Sequence, residues 1–300
     1  MKRILVILNP CAGTRRGGRA LADVLDIFCK NGFLPIVQTT QRPGYGRKLA
    51  EAFAGKVDRI VCIGGDGTFN EVVSGVLDSG TDTPIGYIPA GSTNDFAVSL
   101  GLSPQLRQAA QDIVRGTPTA FDVGRFGDRY FTYVASFGAF TKASYATGQR
   151  AKNTIGHLAY LLSGVASIPS IRSLHAAVVT DSGERLEDDY LFGAVGNSTS
   201  LGGVLRLNPK LVDMQDGVLE LILIRKPEDA AQLANCVRAL LAQDYRSELL
   251  VMRKVRSAVF TLPEDADWTL DGEYAQGQGH AEISIVPGAV RIFIPSEAEA

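Results

Sequence analysis

Asp66 stands in GGDGT (64–68), an acid among three glycines at the end of the hydrophobic run DRIVCI. Two further turns of this kind, NPCAG (9–13) and PAGSTND (89–95), close other strand-like runs. Glycine lets a main chain approach a phosphate closely, and a following helix offers N–H groups at its positive end. In an open parallel sheet ligands bind outside the carboxyl ends of the strands, so three such turns on one edge would make one anion site. Taken singly, each also reads as an ordinary tight turn.

Two common phosphate motifs are absent from the sequence. There is no GxxxxGK[ST], and a GxGxxG begun at Gly65 meets Asn70 where its third glycine belongs. A fixed negative charge at Asp66 opposes bare phosphates but becomes favourable when Mg2+ lies between. Magnesium also supplies the charge stabilisation that phosphoryl transfer needs. The acid therefore points to a metal-bound nucleoside triphosphate rather than a bare cofactor.

The elements that must carry these turns follow from periodicity. RILVILN (3–9), FLPIVQTT, DRIVCIGG and TPIGYIPAG read as buried strands, alternating with the helical GRALADVLDIFCKNG, GRKLAEAFAG, FNEVVSGVLDSG and SPQLRQAAQDIVRG. Gly32 is placed to stop the first helix, and Ser103 with Pro104 to start the last. This alternation implies a parallel sheet covered on both faces.

After Asp122 the rhythm changes to short strands bounded by Gly, Pro, Asn or Asp, among them FTYVASFG, YLFGAVGN, GVLELILIR and WTLDGEYA. That spacing suggests an antiparallel sandwich or barrel. Two helical stretches, NTIGHLAYLLSGVASI and PEDAAQLANCVRALLAQD, interrupt it. The expected organisation is an α/β protein of two domains. Residues 1–125 form a three-layer α/β/α domain and residues 126–300 a mainly antiparallel β-sandwich, with the last ~12 residues a candidate to return to the first domain.

Composition bounds the function. With 300 residues, 45% apolar and 21% charged, the chain is an ordinary globular protein with enough length for two cores. A net charge of −2 gives no argument for nucleic-acid binding. Residues 1–125 carry 14 Lys/Arg against 11 Asp/Glu, a mild excess that suits an anionic cofactor or simply a solvated surface. Cys11, Cys29, Cys62 and Cys236 form no CxxC pair and read as reduced thiols of a cytoplasmic protein. The apolar start is too short for a signal-peptide core, and the stretch 157–171 is too short and too interrupted to span a bilayer. A soluble protein, at most peripheral at the inner face of a membrane, is expected.

NPCAG, GGDGTFNEVVSG and PAGSTNDFA, in this order and spacing, resemble the catalytic domain of the diacylglycerol kinase family, which includes bacterial soluble lipid kinases and the sphingosine and ceramide kinases. The resemblance continues through DVG (122–124), SFG (136–138), GN (196–197), DGVLE (216–220) and LDGE (270–273), and so covers nearly the whole chain. GGDG alone would not carry it, since NAD kinases and phosphofructokinases have similar loops.

The resemblance implies a two-domain kinase holding ATP in the cleft between its domains. It assigns the nucleotide and its phosphates to Asn9, Pro10, Cys11, Ala12 and Gly13, to Gly65, Asp66, Gly67, Thr68, Phe69, Asn70 and Glu71, and to Thr93 with Thr40 or its neighbour Thr39. Asp66 would contact the catalytic Mg2+ and phosphate. Glu273 resembles the family's general base, a carboxylate that orients the lipid hydroxyl and takes its proton. By itself, Asp-Gly-Glu also reads as a hairpin turn.

Asp213, Asp216 and the carbonyl of Val218 resemble the ligands of the family's second, structural Mg2+ site, and the alternative is a polar turn opening the next strand. This chain departs from the family's common DDG with Gln215–Asp216–Gly217, and has Glu220 where an aspartate is common. Asp122 would belong to a charged network supporting the site, with Lys152 a partner. His157, His175 and His280 share no ligand-like spacing and read as surface or core residues. Packing explains Trp268 and Tyr274 better than a lipid pocket does. The segment 153–171 reads as a buried helix or as an acyl-chain entry at the bilayer interface.

The implied function is an ATP-dependent lipid kinase, diacylglycerol being the leading acceptor and phosphatidylglycerol- or sphingoid-like lipids the alternatives. The implied cofactors are ATP and Mg2+, the partners a lipid at the membrane surface and a second copy in a homodimer. An NAD kinase fits the GSTNDFA, DGVLE and DGE segments less well. Intact Asp66 and Glu273 argue against an inactive nucleotide- or lipid-binding regulator.

Overall fold

The structure, a computed structural model, describes residues 1–138, 173–201, 205–277 and 279–295. Lys152, His157 and the segment 153–171 lie outside the described residues. The chain divides into two units, one of Met1–Val123 with Pro287–Ala300, the other of Gly124–Val286.

In the first unit β1 (Lys2–Leu8), β2 (Phe33–Thr39), β3 (Arg59–Gly64) and β4 (Ile85–Pro89) form a parallel sheet in the order β4-β3-β1-β2. Ile4 to Ile7 and Ile60 to Ile63 have no exposed surface, which only a sheet covered on both faces allows. The cover is two helix pairs. α1 (Arg16–Lys30) packs with α5 (Leu106–Arg115) through Val24, Ile27, Phe28, Ala109, Ala110 and Ile113. α2 (Tyr45–Phe53) lies so close to α3 (Asp66–Asp78) that a Cβ on Gly75 would come within 2.2 Å of the Arg47 carbonyl. A short helix, α4 (Asp95–Ser99), follows β4. The pairings Leu8↔Thr39, Leu8↔Ile63 and Gly64↔Pro89 bring the carboxyl ends of the strands to one edge. That edge is where all three glycine turns begin.

Gly32, at φ +81°, ends α1 as expected, whereas α5 starts at Leu106, later than the Ser103–Pro104 pair suggests. Ser103 Oγ still accepts the Gln105 N–H at 3.2 Å, so it closes the turn before the helix instead of capping it.

The second unit is antiparallel. It comprises β5 (Thr117–Phe126, from Gly124), β6 (Arg129–Phe131), β7 (Val134–Gly138), β8 (Leu174–Thr180), β9 (Arg185–Gly196), the ribbon β10 (Ser200–Leu201) with β11 (Leu205–Arg206), β12 (Leu219–Arg225), α6 (Ala230–Leu241), β13 (Leu250–Val255), β14 (Ser257–Thr261), β15 (Trp268–Leu270), β16 (Glu273–Ala275) and β17 (His280–Ile294, to Val286). Strand order is β16-β15-β7-β9-β8-β14-β17, with β12 joining β9 to β13. The last residues of β17 belong to the first unit, where Ile292 pairs in parallel with Ile85 of β4. The expected fold class, α/β followed by a mainly antiparallel sandwich, is the one observed.

The core of this unit gathers Phe137, Phe260 and Trp268, with ring centroids 4.9 to 6.1 Å apart. Trp268 is 1% exposed and is a packing residue. Tyr274 is not: it is 49% exposed, and its hydroxyl meets Asp267 Oδ1 at 3.0 Å. Strand alternation sends neighbouring side chains of β16 to opposite faces, and packing therefore does not account for this tyrosine.

Candidate active site

The three glycine turns of the first unit touch one another. A Cβ on Gly13 would lie 2.5 Å from the Ala90 carbonyl, and one on Gly91 would lie 2.5 Å from Gly65 Cα. The NPCAG, GGDGT and PAGSTND backbones are thus in van der Waals contact, an approach only glycine permits. Gly13 also has φ +50°, in the left-handed region.

Hydrogen bonds tie the turns together. The Ala90 and Gly91 N–H groups donate to the Gly64 carbonyl at 2.7 and 3.1 Å. Asn9 donates its main-chain N–H to the Ile63 carbonyl and its side-chain amide to Thr68 Oγ1, at 2.9 and 2.8 Å. Asn9 Oδ1 accepts the Cys11 N–H at 2.9 Å, shaping its own turn. Thr40 joins the same edge, its N–H donating to the Leu8 carbonyl at 2.9 Å.

Asp66 answers its own puzzle of charge. It is 7% exposed. Oδ2 accepts the Asp95 N–H at 3.0 Å and the Thr93 hydroxyl at 3.4 Å, while Oδ1 accepts the Phe96 N–H at 3.3 Å and lies 3.4 Å from the Tyr87 hydroxyl. A carboxylate has about four acceptor positions, and the Thr93, Asp95 and Phe96 donors address three of them. The negative charge is spread over the first turn of α4 and holds Thr93 in place. α3 itself starts at Gly65 with no side-chain cap, which leaves its positive end to a phosphate.

The residues assigned to nucleotide differ in what they offer. Pro10 and Cys11 are exposed, and Ala12, Gly65, Gly67 and Asn70 are partly so. The Phe69 ring has no exposed surface and stacks on Tyr87 and Phe96 at 4.3 and 5.1 Å, so only its main chain is available to a ligand. Glu71 accepts the Gly44 and Gly46 N–H groups at 2.6 and 2.8 Å. It thereby caps α2 from a neighbouring helix, satisfying donors that a helix start leaves orphaned. Asp122 is 2% exposed and accepts the Gly288 N–H at 2.7 Å.

In the second unit, LDGE forms a two-residue hairpin. Asp271 (φ +50°) and Gly272 (φ +79°) are its corner and Glu273 opens β16. Positive φ at both corners marks the primed turn that joins twisted strands. Glu273 is exposed, whereas Asp271 is 5% exposed. The Asp271 carboxylate accepts the N–H groups of Thr132, Tyr133 and Val134 at 2.6, 2.9 and 3.1 Å, and the Thr132 hydroxyl at 2.8 Å. Burial holds its pKa above the usual carboxylate range, and the four donors offset only part of that rise.

Sequence reasoning passed over Asp271, because nothing local distinguishes an ordinary Asp-Gly corner from one clamped by a bend more than a hundred residues earlier. It also passed over Asn94, whose left-handed backbone (φ +53°) and Oδ1, 2.9 Å from the Gly91 nitrogen, lock the PAGSTND turn. A non-glycine residue in that region favours Asn, which was the available signal.

The turn before β12 places Asp213 and Asp216 on the surface, their Oδ1 atoms accepting the Gln215 and Val218 N–H groups at 3.0 and 3.2 Å. Lys254 Nζ lies 2.8 Å from Asp216 Oδ2. Glu220 has no exposed surface, and burial pushes its carboxyl up to about 8 against the pull of Lys254. His175 is an exposed strand residue with Asp189 3.1 Å from its Nδ1, in keeping with a surface role.

Comparison with known proteins places these features in a family. Residues 3–126 match the family described as the diacylglycerol kinase catalytic domain, and residues 134–294 match the YegS C-terminal NAD kinase beta sandwich-like domain. A diacylglycerol kinase of Bacillus subtilis (strain 168) is 30% identical over 99% of this chain and 98% of its own length. One from Staphylococcus carnosus (strain TM300) is 28% identical over 99% and 97%. A crystal structure of a diacylglycerol kinase from Bacillus anthracis str. Sterne superposes with a TM-score of 0.80 at 24% identity, covering 100% of this chain and 99% of that one, which is a likeness of fold.

Proposed function

From its place in the diacylglycerol kinase family, to which the chain belongs and which makes it an ATP-dependent lipid kinase, we propose that it transfers the γ-phosphoryl group of ATP to the hydroxyl of diacylglycerol, giving phosphatidate. The observation that carries this reading is the contact among three glycine turns at the open, uncapped start of α3. That arrangement suits a chain of phosphates, since close backbone approach and a helix N-terminus both favour anions.

Phosphoryl transfer asks little covalent chemistry of a protein and much positioning. Asn9 to Gly13, Gly65 to Asn70 and Thr93 hold the phosphates, and Thr40, just past β2, flanks them. Asp66 serves by anchoring Thr93 and the start of α4, and Glu71 by fixing the start of α2 near Thr40. Glu273 orients the acceptor hydroxyl and receives its proton as the new O–P bond forms. The bond from the γ-phosphorus to the bridging oxygen breaks, and ADP leaves with that oxygen.

Magnesium, when bound with the nucleotide, supplies charge neutralisation on the phosphates. Asp66, whose oxygens also accept the Thr93, Asp95 and Phe96 donors, would meet it with a carboxylate. We further propose Asp213, Asp216 and the Val218 carbonyl as a second cation set, Asp122 with Lys152 as a supporting pair, function at a membrane face, and a homodimer. No helix among the described residues is long and apolar enough to cross a membrane.

The test is incubation with ATP, Mg2+ and vesicles of separate lipids: diacylglycerol, phosphatidylglycerol, a sphingoid base and ceramide. Phosphatidate, identified by mass, is expected from the first alone. Phosphorylation of another member in its place would move the substrate assignment to that lipid.

A further inference from the structure

The acidic turn before β12 has a partner that the resemblance did not assign. Glu220 lies two residues beyond Val218, has no exposed surface, and accepts no hydrogen bond on either carboxylate oxygen. Burial there leaves the carboxyl either to keep its proton or to ionise against a cation or donors that reach it. Lys254 faces it across the ladder, in the pair Glu220↔Lys254 of β12 and β13. The lysine Nζ is 2.8 Å from Asp216 Oδ2 yet 3.9 Å from Glu220 Oε1. One ammonium group thus spans two carboxylates and hydrogen-bonds only the outer one.

We propose that this is an exchangeable cation seat, in which the Lys254 ammonium and a hydrated divalent cation of the Mg2+ type are alternative occupants, with Glu220 as the inner wall. The oxygen donors suit such an ion, since Mg2+ binds one or two carboxylates directly and keeps several waters. Those waters are donors, and they can reach both Glu220 oxygens, which the ammonium does not. As they stand, no three acidic groups among the described residues converge on an ion, and the lysine lies against Asp216. Lys254 can withdraw, for its side chain is 48% exposed. The seat is therefore never without a positive charge, and the metal competes with an internal cation rather than filling a vacancy.

The test is thermal unfolding of the full chain in EDTA and across a MgCl2 series, with neither nucleotide nor lipid present. The outcome is thus independent of whether the chain phosphorylates anything. Mg2+ is expected to raise Tm, with a midpoint about tenfold lower in Lys254→Met and about tenfold higher in Glu220→Gln. Asp213→Asn, on the exposed side of the turn, should raise the midpoint similarly and serves if Glu220→Gln does not fold. A midpoint unchanged in Lys254→Met, or no Mg2+-dependent shift in either the unsubstituted chain or that variant, overturns the proposal.

Discussion

The Asp271 carboxylate accepts the Tyr133 N–H at 2.9 Å, tying the hairpin corner that carries Glu273 to the bend between β6 and β7. With the Thr132 and Val134 donors, it makes the turn a rigid mount instead of a loose loop. Asp271→Asn keeps the shape but turns an amide donor toward main-chain N–H groups. Urea unfolding should show a loss of about 2–4 kcal/mol, the cost of buried donors left without an acceptor. A loss within about 0.5 kcal/mol, the usual range for surface changes, would show that the clamp is unimportant.

Asp66 is the corresponding mount in the first unit. Asp66→Ala removes the acceptor for the Asp95 and Phe96 N–H groups and releases Thr93, while the core around Phe69 remains. Turnover is expected to fall by roughly 10²- to 10³-fold, in the range of other losses of preorganised donors, with a native circular-dichroism spectrum. Near-normal turnover would remove Asp66 from the site.

Gly91 tests the contact between turns. In Gly91→Ala the new Cβ meets Gly65 Cα, a backbone atom that cannot rotate away, at 2.5 Å. The turns must separate, and overpacking of this kind costs about 1–3 kcal/mol. ATP affinity, read by isothermal titration calorimetry, should fall with it. Gly18→Ala is the contrast: Gly18 lies in α1 with no atom within 4 Å of a new Cβ, and the change should stabilise by roughly 0.5–1 kcal/mol. Equal effects of the two would mean that the close approach has no bearing on binding.

Much of the first unit is legible in the sequence because each signal is local. Ile60 to Ile63 announces a strand buried on both faces, and the glycines after it announce the turn. The hairpin at Asp271–Gly272 is legible for the same reason, and it proves compatible with a functional Glu273. What stays hidden depends on partners distant in the chain. The role of Glu71 in capping α2 shows only when Gly44 and Gly46 are seen to donate to it. That Asp66 also anchors the first turn of α4 is seen only in the fold. Tyr274 shares its motif with Trp268, yet strand alternation sends the two to different environments, and only the fold says which is buried.

Glu273 carries the central claim, that an exposed carboxylate on a clamped hairpin activates a lipid hydroxyl toward ATP. The direct measurement is transfer of labelled γ-phosphate from ATP to diacylglycerol in vesicles, comparing the unsubstituted chain with Glu273→Gln. Labelled phosphatidate should form with the first, fall by about 10²- to 10⁴-fold with the second, and ATP binding should be equal in both. Transfer by Glu273→Gln at the unsubstituted rate, or none by either protein while both bind ATP, would contradict it.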